Sequence, residues 1–165
     1  MLVVYIPGFV ECLKHIEVRM LGIGALEGLP EEYFLLGKLN QSLKNIYIRG
    51  GNINEISDLS FFSNLKNLES LKLEYIDDWQ KPVDFSHLSK LEHLRELHLD
   101  GYYKSENINS INELKGFPSL TTLTIDLLND LSKIKHLPAL MSLKLSNPIN
   151  IGMISSSVPQ LERLE

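Results

Sequence analysis

Four seven-residue phrases say nearly the same thing: LESLKLE from Leu68, LRELHLD from Leu94, LTTLTID from Leu120 and LMSLKLS from Leu140. Each has apolar residues at its first, fourth and sixth places and mostly polar residues between them. Such recurrence constrains the fold more than any bulk property does, because one short phrase cannot enclose a core and has to bury its apolar side against the next copy. The pattern also fits LKHIEVR from Leu13 and LKNIYIR from Leu43, and a shortened copy, LERLE, begins at Leu161. The starts fall at positions 13, 43, 68, 94, 120, 140 and 161, a spacing of about 20 to 30 residues that marks a stacked repeat. Alternation at the fourth to sixth places predicts a strand in every copy, with its apolar side turned inward.

A second rhythm runs between the strands. Leu59, Phe62, Leu65 and Leu68 step by three, as do Phe85, Leu88, Leu91 and Leu94. Leu114, Phe117 and Leu120 repeat the step, and so do Leu131, Ile134, Leu137 and Leu140. A period of three is the period of a 3₁₀ helix, so each unit is expected to run strand, turn, tight helix and strand. The longer stretch between the first two copies holds LPEEYFLLGKLN, with Pro30 at a first helical position and Glu31 and Glu32 at the positive end. It predicts an α-helix of about two to three turns. Residues 1–12 are expected to form a strand or cap; their apolar run has no basic residue before it and is too short to span a bilayer.

The L-x-x-L-x-L phrases, together with NINEISDLSFFSNLKNL and ENINSINELKGFPSL, resemble the leucine-rich repeat family, in particular its short-repeat, internalin-like class. The resemblance covers residues 13–165. It implies an α/β fold: a right-handed solenoid with a concave parallel β-sheet and convex 3₁₀ or short α-helices. It also points to a bacterial, protein-binding repeat protein. No low-complexity segment or Gly-, Ser- or Pro-rich linker divides the chain, so a single domain over 1–165 is expected.

In the strand phrases the third, fifth and seventh places point outward. The third places are His15, Asn45, Ser70, Glu96, Thr122 and Ser142, and the fifth are Glu17, Tyr47, Lys72, His98, Thr124 and Lys144. The seventh places run Arg19, Arg49, Glu74, Asp100, Asp126 and Ser146, a change from cationic to acidic. Tyr75, Trp79, Tyr102 and Tyr103 follow the Leu68 and Leu94 phrases. Large amphipathic side chains beside an acidic row suit a protein-binding patch. The expected contact surface is therefore Tyr47, Arg49, Lys72, Glu74, Tyr75, His98, Asp100, Tyr102, Tyr103 and Asp126.

Signals for chemistry are weak. The five histidines fall on different units without metal-ligand spacing, and Cys12 has no CxxC companion. IRGGN, with Gly50 and Gly51, lacks the lysine and the following helix of a phosphate loop and reads as a tight turn leaving a strand. GIGALEG matches a dinucleotide fingerprint only loosely. No catalytic residue, cofactor or metal is expected. Of the 165 residues, 44% are hydrophobic and 22% charged, and the net charge is −5, which speaks against a nucleic-acid partner. A lone cysteine suits the cytoplasm, the other reading being part of a secreted or surface protein. The expected function is a non-catalytic module docking a protein on the concave face. Its alternative is a substrate-recognition domain of a larger enzyme, or a toxin-neutralising protein. The last phrase, preceded by Ile149, Ile151, Met153 and Ile154, has no polar cap after it. Its edge is expected to invite self-association through the C-terminal unit unless the chain continues.

Overall fold

The computed structural model describes residues 2–4, 20–26, 42–51, 59–74, 85–100, 115–125, 134–145, 158 and 160–165. Their alternating apolar phrases form eight strands: β1 (Leu2–Val4), β2 (Met20–Leu26), β3 (Asn45–Gly51), β4 (Ser70–Glu74), β5 (Glu96–Leu99), β6 (Thr122–Ile125), β7 (Ser142–Leu145) and β8 (Arg163–Leu164). All neighbours are parallel and the order in the sheet is the order in the sequence. The sheet is open, not closed into a barrel. Among the described residues two 3₁₀ helices, Ser60–Asn64 and Phe85–Lys90, lie between β3 and β5. Among the described residues no helix is long and apolar enough to cross a membrane.

Register follows the phrases. Ile46, Leu71, Leu97, Leu123 and Leu143 pair in succession, and so do Ile48, Leu73, Leu99, Ile125 and Leu145. These rows, with the first-place leucines Leu43, Leu68, Leu94, Leu120 and Leu140, make one buried cluster. A backbone device recurs at the second place of each phrase. The carbonyls of Lys44, Glu69, Arg95, Thr121 and Met141 each accept two N–H groups from the start of the next strand, at 2.7–3.1 Å. Each strand is thereby held to the preceding unit at the same point.

The first copy differs from expectation. The strand beside β3 is Met20–Leu26, pairing Met20 with Asn45 and Gly22 with Tyr47, and not the Leu13 phrase. Leu21, Ile46 and Leu71 follow one another at equal intervals, so the regular spacing places the phrase at VRMLGIG, from Val18. Both frames offer three apolar residues in the same pattern; only spacing separates them. His15, Glu17 and Arg19 are therefore replaced in the outward rows by Met20, Gly22 and Gly24. The GIGAL segment is part of β2, and Gly50 and Gly51 are the end of β3, not a turn beyond it. The helix expected over LPEEYFLLGKLN lies outside the described residues.

The period-three segments bury the same places throughout. The first two form the 3₁₀ helices, burying Leu59, Phe62 and Leu65, then Phe85, Leu88 and Leu91. In the next two, Phe117, Ile134 and Leu137 are as deeply buried, and the chain before Lys115 and before Ile134 lies outside the described residues. Gly116 and His136 have positive φ, 76° and 53°. All four units enter their strand through a turn, at Lys66–Asn67, Glu92–His93, Pro118–Ser119 and Pro138–Ala139. They also close alike: the N–H groups of Leu68, Leu94 and Leu140 donate to the carbonyls of Leu65, Leu91 and Leu137 at 3.0–3.2 Å.

At the far end Leu161 packs partly against the core, while Leu164 in β8 is 41% exposed.

Candidate functional site

The outward face of the sheet gathers residues from sequence positions far apart. Across β3, β4 and β5 the fifth places put Tyr47, Lys72 and His98 side by side, and the seventh places pair Arg49 with Glu74. Strand alternation turns these side chains from the core, and parallel register lines them up about 4.8 Å apart.

Glu74 joins two strands on either side. Its Oε2 accepts a hydrogen bond from the Tyr47 hydroxyl at 2.5 Å, and its Oε1 lies 3.7 Å from Nε2 of His98, an ion pair when the imidazole is protonated. All three side chains are half-buried. Burial is the first cause that pushes the Tyr47 phenol above its ordinary pKa; the hydrogen bond to Glu74 and that carboxylate's charge add to it, and the Arg49 guanidinium opposes it. Tyr47 is therefore held as a neutral donor. One place along, Ser70 is 8% exposed and donates its hydroxyl to Oε2 of Glu96 at 3.1 Å. A buried serine thus tethers a carboxylate that would otherwise hang in solvent.

Next to these groups lies a depression of about 370 Å³, lined by Met20 and Gly22 of β2, by Asn45, Ile46 and Tyr47 of β3, by Ser70, Lys72 and Glu74 of β4, and by Glu96 of β5. Its cause is the amino-acid sequence of β2. Gly22 stands opposite Tyr47 in the outward row, so the row of side chains is interrupted beside Tyr47.

Of the residues expected to make contacts, Tyr47, Glu74 and His98 are brought together, and Arg49 and Lys72 stand beside them. Asp100 is half-buried just past β5, its N–H bonded to the Leu73 carbonyl at 2.8 Å. Tyr75, Tyr102, Tyr103 and Asp126 lie outside the described residues. Met20 and Gly22 were missed by the reading from Leu13; stepping back from Leu43 by the interval that separates Leu43 from Leu68 finds them. Asn45, Ser70 and Glu96 were legible as outward third places but carried no signal of a hollow.

Among the described residues no group of three or more His, Cys, Asp or Glu side chains is placed to hold a metal ion. Compared with known proteins, the chain matches no family model and no curated protein.

Proposed function

We propose that this chain is a non-catalytic, protein-binding module of the leucine-rich repeat type, a right-handed solenoid that docks a protein partner on its concave sheet face. The observation that carries the reading is the cross-strand arrangement of Tyr47, Glu74 and His98. Three half-buried side chains on three strands stand together, Tyr47 bonded to Glu74 and His98 within ion-pair distance of it, on a face that needs only to be polar to stay solvated. Fixing them in advance lowers the entropy that a partner would lose on ordering them, and aromatic residues with paired charges are the usual anchors of such surfaces. The leucine phrases, their parallel register and the short 3₁₀ helices support the repeat assignment.

The test starts from capture of partners from native lysate by the full chain. Association of a captured partner is then measured against Glu74→Lys combined with Asp100→Lys, with circular dichroism checking that the fold is kept. Slower association with a changed salt dependence supports the reading. Unchanged kinetics in a folded variant would move the site off this face.

A further inference from the structure

We propose that the depression between β2 and β5 is a socket for an arginine side chain carried by the protein partner. This rests on the reading of the face as a protein-binding surface and adds the chemistry of what enters it.

The argument turns on which lining groups are fixed. Tyr47 is held by its 2.5 Å hydrogen bond to Glu74, and Glu96 is held by the buried Ser70 hydroxyl. Glu74 already serves Tyr47 and His98, so Glu96, with Oε2 on Ser70, is the carboxylate that keeps an oxygen for a newcomer. The fixed groups are thus an aromatic ring and a tethered acceptor. Lys72, by contrast, is exposed, and among the described residues its ammonium has no ion pair or hydrogen bond. A lysine on a four-carbon stem swings aside at little cost, whereas the ring and the carboxylate stay.

The shape agrees with the charge. Met20, 46% exposed, stands beside Gly22 and gives one side an apolar wall, which suits a long aliphatic stem. A planar guanidinium stacks on a neutral tyrosine and offers paired N–H donors to a carboxylate; an ammonium does neither so well. The chain's net charge of −5 favours a partner that presents a cation.

The experiment uses the whole chain without its partner. Amide resonances are followed by NMR while N-acetyl-arginine amide is added, with the lysine and glutamate analogues in parallel. Saturable shifts are expected at Met20, Gly22, Asn45 and Ser70 with arginine, smaller ones with lysine, and none there with glutamate. Glu96→Gln should weaken arginine binding about two- to fivefold, the range of exposed ion pairs. Ser70→Ala should weaken it as well by releasing Glu96, while Lys72→Met should tighten it by removing a like charge. Preference for glutamate, lost in Lys72→Met, would make this an anion site. Equal response to all three probes, or an indifferent Glu96→Gln, would make it a mere hollow. Either result overturns the socket. Absence of arginine binding with partner association still sensitive to Glu74 and Asp100 sinks the socket alone. Arginine binding with partner association indifferent to that face sinks the wider reading instead.

Discussion

The strands β3 to β5 and the strands β6 and β7 share one core and present two different faces. In the first group the outward places carry Tyr47, Lys72, Glu74, Glu96 and His98, and all of these but Lys72 have a partner on a neighbouring strand. In the second they carry Thr122, Thr124, Ser142 and Lys144. All four strands β4 to β7 are entered through a turn, which carries proline before β6 and β7 and not before β4 and β5. Yet Leu97 and Leu143 hold equivalent places, are equally buried and pair in the same way. The inward residues determine the stack and leave the outward residues free to specialise.

The core half of that comparison should break first. Leu97→Ala and Leu143→Ala should each cost about 2–5 kcal/mol in urea unfolding, as buried leucine truncations do. A loss below about 0.5 kcal/mol at either position would show that its register is wrong, since even the mildest buried truncations cost that much. The next largest effect is on the face. Glu74→Lys with Asp100→Lys should slow partner association about tenfold at low salt, the lower bound of electrostatic steering. Thr124→Lys with Ser142→Lys should do far less; the reverse order would place the site on the half formed by β6 and β7. The third contrast concerns the connections. Lys66→Pro removes an N–H that donates to the Asn64 carbonyl at 3.0 Å and should cost about 1 kcal/mol. Pro138→Ala should cost less, about 0.4–1 kcal/mol, by loosening the unfolded chain. Equal and larger losses would mean that the two kinds of connection bear the same strain.

The leucine scaffold was legible because burial leaves a mark at every inward place, and many copies allow errors to be outvoted. The first copy failed where that redundancy is thinnest: Leu13, Ile16 and Val18 compete with Val18, Leu21 and Ile23, and pattern alone does not choose. The Tyr47–Glu74–His98 arrangement was visible only as three separate candidates. Bridging depends on side-chain rotamers and on a diagonal between strands, neither of which is written in one phrase. The hollow was hidden for a simpler reason: it is made by Gly22, a residue with no side chain to notice.

The smallest effect concerns pH. Tyr47 has its pKa raised by burial and by Glu74, so its contribution to stability is complete below the ordinary phenol value of about 10. It is lost as pH rises through the higher folded value, since the unfolded chain ionises first. The stability of the wild-type chain should therefore fall more between about pH 9 and 11 than that of Tyr47→Phe. Parallel curves in urea titrations would show that the phenol is not held neutral.

A sheet whose strands are bonded only to the strands before and after them also has a mechanical character. Force applied between the two ends of the stack acts along the direction of the hydrogen bonds, so the load falls on one strand pair at a time, as in a zipper. Leu71, Leu97 and Leu123 are partners in neighbouring strands and are evenly spaced along the chain. Each opening between them should release about 90 Å of chain, at up to ~3.5 Å per residue. Nearer the C-terminus, where Leu123 and Leu143 stand closer together in sequence, the steps should shorten to about 70 Å. Stretched between its ends, the molecule would yield in small, countable lengths that report its own repeat spacing.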